Sequence, residues 1–107
     1  MIKEEIIITF GEHLRTLREN AGLTLRQVAN SISIDTSLLA KIERNERQPT
    51  KQLIKQIATF FNVDERDLLD ELLSDQIAYK ILGDDANLEI LKMAEKKVSY
   101  LKTIRNV

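Results

Sequence analysis

Apolar positions along this chain recur at spacings of three and four, the signature of helices that each bury one face. Phe10, Leu14 and Leu17 share one side of a segment whose other side carries Glu12, Arg15, Arg18 and Glu19. Ala21-Gly22 ends it, because glycine accepts the left-handed conformation that closes a helix. Thr24 offers a hydroxyl cap with Gln27 three residues on, a capping-box pattern ahead of Val28, Ala29 and Ile32. The period breaks at Ser31-Ile32-Ser33-Ile34, where β-branched residues and backbone-competing serines predict a tight turn. Asp35 is then placed to cap a third helix. Leu38 or Leu39 with Ile42 forms its inward stripe, and Thr36, Ser37, Ala40, Lys41 and Arg44 are left facing outward.

The third helix ends near Asn45, and Gln48-Pro49-Thr50 marks a break after which Thr50 caps a fourth helix bearing Leu53, Ile54, Ile57, Ala58 and Phe61. Asn62 closes that helix, and Asp64 caps a fifth with Leu68, Leu69, Leu72 and Leu73, running on as far as Leu82. Gly83-Asp84-Asp85 reads as a breaker. The last helix, about residues 86 to 104, repeats Leu88, Leu91, Ala94, Val98, Leu101 and Ile104 at helical spacing. The expected fold class is all-α: a five-helix domain over residues 9–73, with an additional helical extension over 74–107 and an N-terminal extension over 1–8. Within the latter, Ile6-Ile7-Ile8 is β-prone and either forms a short strand pairing with its copy in a dimer or stays disordered up to Ile6.

Composition narrows the chemistry. Three glycines and one proline suit an all-helical chain, and the absence of cysteine excludes disulfides and thiolate catalysis or zinc ligation. The apolar part of the N-terminus is too short for a signal peptide and no run reaches a membrane span, so a cytoplasmic location is expected. Net charge is −1, but residues 11–56 carry eight Lys or Arg against five Asp or Glu, residues 62–90 two against nine, and residues 91–107 five against one. That distribution permits contact with DNA on one face only. His13 has no second ligand at helical spacing, and Glu65, Asp67, Asp70, Glu71 and Asp75 read as a solvated acidic face rather than a metal or acid/base site. No phosphate loop or nucleophile set is present. Neither an enzyme, a cofactor nor a metal is expected.

Two short helices joined by a turn of about four residues, the second with small polar and basic side chains outward, form a helix-turn-helix pattern. Phe10-Gly11-Glu12-His13-Leu14-Arg15-Thr16-Leu17-Arg18, Ala21-Gly22-Leu23-Thr24, Val28-Ala29, Lys41-Ile42-Glu43-Arg44, Pro49, Leu53 through Ile57-Ala58 and Phe61-Asn62-Val63 follow in an order and spacing that resemble the lambda-repressor/Cro-like (XRE) family of bacterial regulators over about residues 9 to 70. The resemblance implies that Arg18 pairs with Glu43 and approaches a DNA phosphate. It implies that Thr36, Ser37 and Lys41 read base edges, and that Thr24, Arg44 and Arg47 hold phosphates. Leu25 stands where the family often has a DNA-contacting Gln, and Asn45 and Asn62 replace two common glycines.

The function expected is sequence-specific binding of double-stranded DNA at a palindromic operator, as a homodimeric transcriptional regulator of the repressor type. The stripe from Leu88 to Ile104 must be covered, either by the acidic fifth helix or by a second subunit, and the second subunit is the expected partner. The competing expectation is an antitoxin or controller whose C-terminal helices bind a different protein.

Overall fold

Local chemistry starts most of the helices. Thr9 and Glu12 form a reciprocal capping box at the head of α1 (Phe10–Asn20), and Thr24 and Gln27 form another ahead of α2 (Leu25–Ser31). The Thr50 hydroxyl accepts the Leu53 N–H at 3.1 Å to open α4 (Lys51–Phe61). The Asp64 carboxylate accepts the N–H groups of Arg66 and Asp67 to open α5 (Glu65–Gly83), and Asn87 accepts that of Ile90 to open α6 (Leu88–Arg105). Asp35 differs from the expectation. It takes the extended backbone of an N-cap before α3 (Thr36–Glu43), but its side chain makes no capping bond. These are the elements of the computed structural model, which describes residues 7–105; no strand occurs among them. Ile6 of the β-prone run lies outside the described residues, and Ile7 and Ile8 lead irregularly into the Thr9 cap.

The first five helices terminate alike. A residue with positive φ follows the last turn at Gly22, Ser33, Asn45, Asn62 and Asp85, and the next N–H reaches back five residues to a carbonyl, as from Leu23 to Arg18, Ile34 to Ala29 and Glu46 to Lys41. Two differences from expectation follow. Ser33 carries the left-handed conformation of the turn after α2 without the side-chain amide or glycine that usually eases it. Gly83 stays helical, so the break before α6 belongs to Asp84-Asp85.

The chain divides into two compact units, one up to Asp75 and one from Gln76. The first unit holds the core: Phe10 and Leu14 of α1, Val28 and Ala29 of α2 with its C-cap Ile32, Leu39 and Ile42 of α3, Leu53, Ile54, Ile57 and Ala58 of α4, and Leu68 of α5. Burying each large aliphatic among them contributes about 1.5 to 3 kcal/mol. Leu69 and Leu72 pack partly against this cluster, whereas Leu73 and Ile77 face outward. The second unit contains no such core, since α6 has no buried residue.

Gly11 sets how closely α1 approaches the end of α3. Its N–H is donated to the Asn45 Oδ1 at 3.2 Å, and a Cβ placed on it would lie 2.5 Å from the Ile42 carbonyl oxygen and 2.6 Å from that of Glu43. Both are backbone atoms at the end of a helix and cannot swing away. Gly11→Ala is therefore expected to destabilise the first unit by about 1 to 3 kcal/mol through overpacking, despite alanine's better helix propensity. Thermal melting followed by circular dichroism checks this; an unchanged or raised Tm would refute the close approach.

Candidate nucleic-acid interface

α3 has eight residues, and three kinds of contact orient it. Leu39 and Ile42 are buried in the core, Gly11 abuts its last carbonyls, and Glu43 reaches Arg18 of α1. The Arg18 guanidinium donates from Nε to Glu43 Oε2 at 2.7 Å and from Nη2 to Oε1 at 3.0 Å, a two-point fork; Nη1 donates to the Leu23 carbonyl at 3.0 Å. The two side chains are only 12% and 6% exposed. Bonding to Glu43 holds the Arg18 pKa above its ordinary value. No buried side-chain nitrogen or oxygen among the described residues lacks a partner.

With α3 fixed inward by Leu39, Ile42 and Glu43, the opposite arc faces solvent. Thr36, Ser37 and Lys41 are exposed, and at about 100° per residue they lie within an arc of about 140° that also includes Ala40 and Arg44. Thr36 and Ser37 stand in the first turn and Lys41 one turn further on. The two hydroxyls donate no hydrogen bond to the protein among the described residues, and the ammonium forms no ion pair within 4.0 Å, although its charge helps lower the Glu46 pKa. Short side chains at the head of the helix allow its axis close to a polar surface.

The expected phosphate-binding residues surround this arc on other elements. Thr24 caps α2, where its hydroxyl oxygen accepts the Gln27 N–H at 3.1 Å and the O–H remains to be donated outward. Arg44 is the C-cap of α3 and forms a fork with Glu46 at 2.7 and 3.3 Å. That bond raises the Arg44 pKa and holds the Glu46 carboxyl below the usual carboxylate range. Arg47 is exposed and carries no ion pair among the described residues. Leu25 is partly buried and packs against the core edge, so an apolar surface occupies its position.

The structure uses His13, Glu71 and Asp75 in a way the sequence reading missed. His13 Nδ1 lies 2.9 Å from Glu71 Oε1, and the Phe10 N–H at the first turn of α1 is donated to the Asp75 carboxylate at 2.7 Å. These acids are spaced i, i+4 on α5 and sit beside the buried Leu68 and the partly buried Leu72 rather than on a solvated face. An anion at a helix N-terminus is favourable. The Thr9-Glu12 box was the visible signal of where α1 begins. No grouping of acids and histidine suited to a metal ion occurs among the described residues, and no described helix is long and apolar enough to cross a membrane.

Residues 9–72 match the helix-turn-helix domain family, and the chain belongs to it, as a member of lambda-repressor/Cro-like (XRE) type. It is similar to the HTH-type transcriptional regulator DdrOP3 of Deinococcus deserti, with 32% identity over 69 residues that cover 63% of this chain and 54% of that protein. It is also similar to the transcriptional regulator ClgR of Mycobacterium tuberculosis, with 37% identity over 49 residues that cover 46% of this chain and 44% of that protein. The chain spans about half the length of these curated relatives. Among solved structures, the restriction-modification controller protein C.AhdI of Aeromonas hydrophila superposes with a TM-score of 0.52 at 32% identity, covering 55% of this chain and 89% of that one. The biofilm master regulator SinR, solved in complex with DNA, superposes with a TM-score of 0.53 at 26% identity, covering 57% of this chain and 98% of that one.

Removing Glu43 would strand a buried guanidinium. Glu43→Ala is expected to cost about 3 to 5 kcal/mol, lowering the Tm by more than about 10 °C for a unit of this size. Glu43→Gln, which keeps the shape and one acceptor, should cost less. A calorimetric Tm for Glu43→Ala equal to that of the wild type would mean that the pair is not buried in solution.

Proposed function

We propose that this protein is a sequence-specific double-stranded DNA-binding regulator of the repressor type, acting in a bacterial cytoplasm as a homodimer on a palindromic operator. The observation that carries the reading is the outward arc of α3: exposed, uncommitted hydroxyls and a lysine on a helix whose inner face is pinned by a buried ion pair. Such a helix fits the major groove, where hydroxyl and ammonium groups bond base edges. Thr36, Ser37 and Lys41 are the base readers. Thr24, Arg44 and Arg47 contact phosphates, and Arg18, whose charge is met by Glu43, chiefly positions α1 against α3 and presents its remaining N–H groups to the backbone. The similar protein SinR, solved in complex with DNA, supports DNA binding. Its relatives are named as regulators, which supports a role other than catalysis.

The experiment is selection of bound sites from a random duplex pool at fixed salt, followed by titration of variants. Alanine at Thr36, Ser37 or Lys41 is expected to relax preference at particular base pairs by about 1 to 3 kcal/mol for a strong contact. Arg44→Ala and Arg47→Ala are expected to weaken all sequences alike and to reduce the salt slope by about one unit per lost contact. Equal losses of preference from both sets would require a different docking.

The homodimer reading rests on the second unit. Leu88, Leu91, Ala94, Val98, Leu101 and Ile104 are all exposed, Leu88 at 71%, and Tyr79 and Leu82 on the last turns of α5 are exposed as well. An apolar stripe about 24 Å long is unusual on a monomer in water. A second copy covers it by symmetry, and two recognition helices about 34 to 36 Å apart would then match one turn of DNA. A partner protein on the same helices, as in a controller or antitoxin, is the second reading, favoured by the same uncovered stripe. Leu91→Asp with Leu101→Asp separates them. Neither side chain contributes to the core, so the fold should persist while light scattering reports a monomer and affinity for the palindrome falls towards that of a half-site. A wild-type protein already monomeric at tens of micromolar would favour the partner-protein reading instead.

A further inference from the structure

A surface groove with a volume of about 390 Å³ lies between the end of α2 and the outward side of α4. Its floor is Ile32, the buried C-cap of α2, and one wall is the ring of Phe60, which is 37% exposed. Phe61 braces that ring edge-on, with centroids 4.9 Å apart, and is itself packed partly against the core. Gln52, Lys55, Gln56 and Thr59 line the groove at i, i+3, i+4 and i+7, so α4 turns a polar stripe to the groove and its apolar stripe to the core. None of these four side chains forms a hydrogen bond or an ion pair with the protein among the described residues. Neither α2 nor α4 contains an Asp or Glu, whereas together they carry Arg26, Lys51 and Lys55. The groove thus joins an apolar floor and wall to an uncommitted ammonium, two amides and a hydroxyl, with no carboxylate on either helix that forms it.

We propose that this groove is a binding site for a small monocarboxylate with a compact apolar body, an aryl or branched-alkyl acid. The body lies on Ile32 against the Phe60 ring, and the carboxylate accepts from the Lys55 ammonium and from the amide of Gln52 or Gln56. Charge complementarity decides the sign of the ligand: a cation would meet Lys55 with no acid to offset it, and a purely apolar molecule would make no use of the donors. Size follows from the stripe. Gln52 to Phe60 spans about 12 Å along the helix, room for a ring and a short chain, and the volume falls at the small end of the range for ligand sites. The groove also adjoins the turn between α2 and α3, since Ile32 directly precedes Ser33, whose φ of 58° is left-handed. A ligand held there bears on the segment that joins the two helices, which makes the groove an effector site. That consequence, unlike the binding itself, rests on the DNA-binding reading.

The test is an amide-resolved NMR titration of the full chain with phenylacetate, hydrocinnamate and isocaproate, against phenethylamine and acetate. At least one of the apolar carboxylates is expected to shift the signals of Ser31, Ile32, Lys55, Thr59 and Phe60 saturably and to raise the Tm. Phenethylamine, with the same kind of body and the opposite charge, and acetate, with no body, should do neither. Lys55→Gln is expected to weaken binding about fivefold, and Phe60→Ala to remove saturation. Phe60→Leu, which keeps an apolar wall, should retain part of the affinity and stands in should Phe60→Ala fail to fold. Lys51→Gln, on the same helix but outside the groove, should leave binding unchanged. Fluorescence anisotropy of the duplex selected from the random pool then reads the consequence, with acetate at equal concentration as the ionic control. Saturating ligand should change the affinity of the wild type for that duplex and leave that of Lys55→Gln with Phe60→Leu unchanged. No saturable shift with any of the three carboxylates, equal shifts with phenethylamine, or full affinity in Lys55→Gln overturns the site. Ligand binding with unaltered DNA affinity overturns the effector role alone. A wild type that takes the ligand but binds no duplex overturns the DNA-binding reading while the site holds.

Discussion

The direction in which α3 presents its outer face depends on one buried ion pair. A helix of eight residues is not stable alone, and the two core side chains Leu39 and Ile42 leave it free to roll about its own axis. Glu43 removes that freedom. Both its oxygens are taken by Arg18, whose remaining guanidinium nitrogen is held by the Leu23 carbonyl just before α2. One arginine thus ties three successive elements together. Desolvating both charges costs several kcal/mol, and an apolar pair of similar volume would serve bulk stability as well or better. An apolar pair would not fix an angle, however, and a surface that must meet another molecule in register depends on that angle. Gly11 complements the pair by letting the head of α1 touch the last carbonyls of α3, so α1 and α3 are joined at two places along their length.

Around the outer face of α3, exposed cations stand in local ion pairs rather than as a strong standing field. The chain as a whole is nearly neutral at −1, and most rim cations are already met by a nearby carboxylate. Exposed pairs of this kind add little to stability. They do keep the surface close to neutral, which disfavours indiscriminate attraction over long range. Acidic groups elsewhere are used differently: Glu71 and Asp75 bind the head of α1 through His13 and the Phe10 N–H and contribute to the first unit's architecture.

The two units differ in how they satisfy the hydrophobic effect. The first closes a core with fully buried side chains from all five of its helices. The second, from Gln76 onward, has helical order secured by the Asn87 cap and local pairs such as Lys80–Asp84, but leaves Leu88, Val98, Leu101 and Ile104 in water. Helix propensity and capping suffice to define α6, yet they provide no burial. Covering that stripe would supply the burial that α6 lacks.

What the sequence determined by itself was everything encoded at separations of three to five residues. Thr24 with Gln27, Thr50 and Asp64 marked helix starts; Gly22, Asn45 and Asn62 marked ends; and the apolar period named Leu14, Val28, Ile42, Ile54, Ile57 and Leu68 as core. Family resemblance added the Arg18–Glu43 pair, and the structure brings those two side chains together. The tertiary structure alone decided the rest. Asp35 has the capping backbone but not the bond, Gly83 remains helical, Arg44 turns to Glu46, and Arg15 shares a depression with Arg18 and Arg44. His13 finds Glu71 and Phe10 finds Asp75 across 58 and 65 residues of chain. Periodicity states which face of a helix is apolar but not which neighbour lies against that face. The path by which α5 returns past α1 follows from packing the whole core, and the side chains at its margin acquire their partners only once that path is set.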